Sequence, residues 1–82
     1  MKKLIRDIAK RNGERVRIEL AEFNGHQLIN VRVWFEDKHG QLKPTRRGIA
    51  LDVQRLPDLR KAIDEAERIA QENSLISPTS HD

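Results

Sequence analysis

From Glu14 to Phe23 the chain alternates, with Val16, Ile18 and Leu20 on one side and Arg15, Arg17 and Glu19 on the other. A period of two is that of a half-buried strand. Asn24-Gly25 follows at once, and both residues tolerate the positive φ of a type I′ turn, so the chain is expected to return as a hairpin partner. Leu28 to Phe35 supplies that partner, with Ile29, Val31, Val33 and Phe35 on one face and Leu28, Asn30, Arg32 and Trp34 on the other. A second turn, Glu36 to Gly40, leads into a weaker strand from Gln41 to Leu51. Pro44 has no N–H for a ladder, so this strand belongs at an edge or bends there, and Gly48 is a second place for a bulge.

The period then changes. Asp52 is a plausible cap, Pro57 suits a first turn, and helix formers run to about Gln71. At about 100° per residue, Leu56, Leu59, Ala62, Ile63, Ala66, Ile69 and Ala70 share an arc of roughly 140°, with the charged residues from Asp58 to Glu72 outside it. Arg60 with Asp64, Lys61 with Glu65 and Asp64 with Arg68 have the spacing of surface pairs on the solvated face. Residues 1 to 12 fit a short helix face or an irregular strand through Leu4, Ile5 and Ile8. Beyond Glu72 the chain has no period and many turn formers. The expectation is one domain over residues 1–72 and a disordered tail over 73–82. Periodicity alone therefore points to an α+β fold: a three- or four-stranded antiparallel sheet followed by one amphipathic helix.

At 82 residues such a domain hides only about 60% of the surface its unfolded chain exposes, and usually needs a supplement. The absence of cysteine excludes disulfides, thiolate metal sites and cysteine nucleophiles; oligomerisation remains. The net charge is only +3, with sixteen Lys or Arg against thirteen Asp or Glu, but it is unevenly placed. Residues 1–17 hold seven positive charges against Asp7 and Glu14, and residues 41–55 hold Lys43, Arg46, Arg47 and Arg55 against Asp52 alone. The segments 18–40 and 56–82 are net acidic. Charge segregated in this way suits a polyanion facing one surface. No apolar stretch is long enough to span a bilayer, and Met-Lys-Lys leads into no signal-peptide core, so the expected location is the cytoplasm, with no membrane partner.

Catalysis finds little support in the residues. His26, His39 and His81 lie in two turns and the tail, without the spacing of metal ligands. Glu36-Asp37 reads as turn chemistry, a metal-dependent nuclease built on that pair being the remote alternative. There is no phosphate-cradling glycine loop and no serine in a nucleophile setting. The expectation is a protein that is not an enzyme and carries no cofactor or metal. The informative stretch is Arg32 to Arg47, where Arg32, Trp34, Phe35, Lys43, Arg46 and Arg47 fall on neighbouring strands. Cations that follow phosphates beside rings that stack on bases are what single-strand binding requires. Trp34 and Phe35 are adjacent in a strand and so point to opposite faces; at most one belongs to a core between sheet and helix. No helix is basic enough for a major groove, so duplex DNA is the less natural target.

The run Gly25 to Leu51 resembles the C-terminal domain of the transcriptional coactivator positive cofactor four (PC4) and its small bacterial relatives. The likeness rests on Val31-Arg32-Val33-Trp34-Phe35-Glu36-Asp37, Gly40, Leu42-Lys43-Pro44-Thr45-Arg46-Arg47-Gly48-Ile49 and Leu51, and extends back to the strand ending at Phe23 and on into the helix. The resemblance implies a homodimer in which each chain contributes a curved, four-stranded antiparallel sheet and a long helix. The helices pack across the two-fold axis and the sheets present grooves for single-stranded or unwound DNA, with little sequence preference and a part in transcription or its regulation. Carried over by position, Phe23 and Phe35 match base-stacking aromatics, Arg32, Lys43, Arg46 and Arg47 match basic groups along the backbone path, and Pro44 matches a proline there. Asn24 and His26 stand where the eukaryotic coactivator has lysines, and Ala21 replaces an arginine. His26 remains a contact in this reading, and Arg15 and Arg17 compensate, the last by charge pattern and not by resemblance.

The resemblance also assigns part of the apolar helix arc, notably Leu59, Ile63, Ala66 and Ala70, to the partner subunit. The expected ligand is single-stranded nucleic acid, DNA in preference to RNA, with transcription or repair proteins as further partners. The serine-rich arm preceding the eukaryotic domain has no counterpart in this sequence, which suggests a bacterial or viral chain. The alternative is an interaction module whose grooves dock acidic protein partners.

Overall fold

A computed structural model describes residues 1–77. Four strands, β1 (Lys3–Ala9), β2 (Arg15–Phe23), β3 (His26–Glu36) and β4 (Leu42–Asp52), form one sheet in sequence order, each antiparallel to the next. The helix α1 (Leu56–Glu72) follows. The alternation in β2 and β3 is realised without interruption from Phe23↔His26 to Arg15↔Trp34. Asn24 (φ 50°) and Gly25 (φ 80°) make the turn between them, the double positive φ of a type I′ hairpin.

Residues 3–9 resolve the ambiguity near the start of the chain, since they pair with β2 from Lys3↔Leu20 to Ala9↔Arg15. The register shifts between Leu4 and Arg6. An extra residue at Ile5 reverses the alternation within the strand, and so the sequence carries no clean period of two. The connection to β2 turns through Asn12 (φ 66°) and Gly13 (φ 74°).

Strand β4 is an edge, as its proline requires. It pairs with β3 from Leu28↔Asp52 to Arg32↔Gly48, then resumes at Trp34↔Pro44, so two steps along β3 match four along β4. The intervening Thr45, Arg46 and Arg47 form a wide bulge. The Thr45 hydroxyl pins it by donating to the Val33 carbonyl at 2.8 Å and accepting the Arg47 N–H at 3.1 Å. Gly48 ends the bulge at φ 153°, where a Cβ would stand 2.5 Å from the Val31 carbonyl oxygen and 2.6 Å from Arg32 Cα. Only glycine fits that approach.

The Asp52 carboxylate accepts the Gln54 N–H at 2.9 Å and caps a 3-10 turn, Val53–Arg55, which precedes α1 with Pro57 in its first turn. At the far end Leu75 N–H donates to the Ala70 carbonyl at 2.8 Å, with Ser74 at φ 58°, the geometry of a Schellman-type stop. The first residues of the expected disordered tail are thus a helix cap, and residues 78–82 lie outside the described residues.

The sheet has a clear apolar face: Val16, Ile18 and Leu20 of β2 lie beside Val33, Val31 and Ile29 of β3, with Ile49 and Leu51 of β4 beyond. Of all described side chains only Ile29, at 5% exposure, is buried. The expectation of a core between the sheet and its own helix is overturned. After the 3-10 turn α1 leaves the sheet, contacts little but that turn, and buries no residue; Ile63 is 58% exposed. The Cα radius of gyration is 15.0 Å, against about 12 Å for a compact chain of this length. Among the described residues no helix is long and apolar enough to cross a membrane.

Candidate nucleic-acid interface

Because side chains alternate across a sheet, the β2–β3 register sorts the candidate residues by face. Opposite the apolar face, Arg15 pairs with Trp34, Arg17 with Arg32 and Phe23 with His26. Three arginines and an indole therefore share one surface, with Phe23, 66% exposed, at its hairpin end beside His26. Phe35 and its register partner Lys43 fall on the other face, at the end of the sheet near Trp34. Phe35 is 37% exposed there, next to the apolar stripe. The two phenylalanines matched to stacking positions thus lie on opposite faces and at opposite ends of the β2–β3 hairpin. Between the faces, on the β4 edge, the bulge carries exposed Arg46 and Arg47, and Pro44 stands opposite Trp34.

The arginine surface is ordered by an acid that sequence reasoning did not single out. Asp7 of β1 lies opposite Arg17 in register and accepts from Arg17 Nε at 2.8 Å and from its terminal nitrogen at 3.0 Å. Arg15 approaches the same carboxylate at 3.6 Å. The Arg17 guanidinium lies 4.5 Å from the Trp34 ring centroid, the diagonal neighbour that this pairing allows, in cation–π geometry. The bonds from Arg17 hold the Asp7 carboxyl below the usual aspartate range, and Asp7 in turn raises Arg17. Trp34 is thereby half-covered on the basic face, and its Nε1–H has no hydrogen-bond partner among the described residues. Arg32 donates to the Thr45 carbonyl at 3.3 Å, which ties its head to the bulge without giving its charge an ion-pair partner among the described residues.

Two further carboxylates meet cations of the candidate path. Glu14, in the β1–β2 connection, pairs with Arg47 across the sheet and with Lys10 at 3.7 Å; the Arg47 bond holds its carboxyl below the usual glutamate range. Asp37 accepts the N–H groups of His39 and Gln41, both at 2.9 Å, and pairs with Lys43 at 3.0 Å. These bonds, that from Gln41 foremost, keep it ionised to lower pH than an ordinary aspartate. With its carboxylate committed to the turn and to Lys43, Asp37 is not poised as a metal ligand beside Glu36. Arg46 makes no ion pair among the described residues. Asp7 and Glu14 were missed because neither belongs to a local motif: their partners are brought to them by strand pairing and by the bulge. The one signal was that both are isolated acids in the most basic segment of the chain.

The model of the family described as Transcriptional Coactivator p15 (PC4) matches residues 10–62. Among solved structures, the chain is similar to a PC4 homologue from Burkholderia pseudomallei, at 30% identity and a TM-score of 0.74 over 80% of this chain and 89% of that one. A second crystal form of that homologue gives 28% identity and a TM-score of 0.73, covering 82% and 98%. A bacteriophage T5 homologue of the eukaryotic coactivator PC4, implicated in recombination-dependent DNA replication, shares the fold at 23% identity and a TM-score of 0.62, over 90% of this chain and 82% of that one.

Proposed function

The chain belongs to the Transcriptional Coactivator p15 (PC4) family, and on that premise we propose that it binds single-stranded or melted DNA as a homodimer, without enzymatic activity, in the regulation of transcription in the cytoplasm. The observation that carries the reading is the grouping of cations and rings at one end of the sheet. Arg15, Arg17, Arg32 and Trp34 occupy one face, Phe35 and Lys43 the other, and Arg46 and Arg47 the edge between them. A strand passing over that edge meets cations for its phosphates and Phe35 for a base. Phe23 and His26 form a second contact at the hairpin end. Flexible single strands follow such a path and duplex does not, so binding favours the melted state by mass action. In the dimer Leu59, Ile63, Ala66 and Ala70 of α1 meet the partner copy.

Fluorescence anisotropy with labelled single strand, duplex and an acidic peptide, at two salt concentrations and with and without magnesium, tests this reading. Single-strand binding is expected to be preferred. With Arg32, Lys43, Arg46 and Arg47 engaged, the log–log salt slope should be near −3, since each phosphate neutralised on a single strand contributes about −0.7. Phe35→Ala should weaken binding by about 1–3 kcal/mol and leave the dimer intact. A flat salt response removes the model. Binding of the peptide alone supports an adaptor that docks acidic proteins, and fragmentation of the strand in magnesium supports a nuclease.

A further inference from the structure

Two of the four cations assigned to the backbone path are occupied before any ligand arrives. Arg47 is paired with Glu14, 33 residues away in sequence, and Lys43 with Asp37 at 3.0 Å. Both pairs lie at the Phe35 end of the sheet. Lys43 is its register partner, and Glu14 directly precedes Arg15, which is opposite Trp34. The cations are outward, at 57% and 54% side-chain exposure, whereas the acids are more recessed, at 23% and 13%. Asp37 is held by two backbone N–H groups as well, so its charge stays in place when the lysine leaves.

From this arrangement we propose that Glu14 and Asp37 are built-in counter-ions of the strand-binding end, which the phosphates of a single strand must displace from Arg47 and Lys43. The proposal rests on the reading given under Proposed function and deepens it by naming the groups that set its affinity. Exposed ion pairs of this kind are weak, and phosphate is a strong acceptor for arginine and lysine. Exchange of partner is therefore accessible, while the recessed carboxylate left behind repels the strand within a Debye length. An isolated anion gains little by the exchange. A strand that replaces both partners and stacks a base on Phe35 gains all three contacts together. Arg46, which has no ion pair among the described residues, is available for first capture.

Glu14→Gln and Asp37→Asn test this, measured by anisotropy with a labelled oligothymidylate. Asparagine retains the side-chain oxygen that accepts the His39 and Gln41 N–H groups, so the turn survives. Each substitution should tighten binding about two- to five-fold, the value of releasing one exposed pair. Glu65→Gln on α1, which changes the net charge equally but lies away from the cluster, should alter the Kd much less. In an Arg47→Gln background the gain from Glu14→Gln should shrink, because Arg47 is no longer there to be freed and only the weaker Lys10 pair and the repelling charge are removed. An equal gain in both backgrounds, an equal gain from Glu65→Gln, or weaker binding by both single variants overturns the proposal. Wild-type binding with unchanged variants overturns it alone, whereas no single-strand binding by wild type or variants overturns the proposed function with it.

Discussion

Asp7 shows how a single carboxylate organises a basic surface. Arg15, Arg17 and Arg32 are neighbours on one face of β2 and β3, where like charges repel. One acid from β1 meets two of them and lays Arg17 against Trp34. Because the Asp7 carboxyl is shifted below its usual range by Arg17, the folded chain binds a proton there less readily than the unfolded one. Its contribution to stability is complete above the unfolded pKa and is lost as pH falls through the lower, folded value. Melting temperatures recorded from neutral to acidic pH should therefore fall on the acid side in the wild type and fall less steeply in Asp7→Asn, which should already be less stable at neutral pH. An unchanged acid limb would show that the pair does not contribute to folding. Arg17 was legible as a basic residue on a polar face. Its commitment to Asp7 and Trp34 was not, because that depends on which residue of β1 comes opposite it.

Among the elements, β4 is the one whose sequence and geometry depend most closely on each other. Lys43 to Gly48 was legible as an edge segment with two interruptions, Pro44 and Gly48. Pairing shows that they bracket one bulge, which brings Arg46 and Arg47 to the edge and supplies the Thr45 carbonyl to Arg32. Gly48→Ala should lower stability by about 2 kcal/mol or more, read from the denaturant midpoint, since its Cβ would enter the backbone of β3. It should also weaken single-strand binding by displacing the arginines. Strand β1, by contrast, was not legible. Ile5 inserts one residue into the ladder, and a period of two cannot be read across a bulge. The α1 boundaries followed from the cap and the apolar arc, though Asp52 caps the 3-10 turn and not the helix itself.

As a whole molecule the single chain is unfinished. Its helix stands away from the sheet, its apolar face is open along Ile49 and Ile8, and Ile29 is its one buried side chain among the described residues. The proposed homodimer would give the exposed arc of α1 and the open sheet face something to pack against. If so, folding and association are one event and stability depends on protein concentration. The melting temperature should rise with concentration, and Ile63→Asp, at the centre of the arc, should yield an unstable monomer by sedimentation. A wild type that is monomeric at micromolar concentration, with a melting temperature independent of dilution, would exclude this.

The order of elements from β2 to α1, the two faces of β2 and β3, the Asn24-Gly25 hairpin and the amphipathic helix were determined by the sequence alone. Each is written in residues close together in the chain, through periods of two and 3.6 and through the φ that a turn allows. Which acid holds which arginine, how the bulge places Arg46 and Arg47, and whether α1 lies on its own sheet were decided only by tertiary structure. These depend on register between distant strands and on the direction in which the chain leaves Asp52, and a shift of one residue would change every partner. The candidate cations were therefore visible in the sequence, but the carboxylates that accompany them were not.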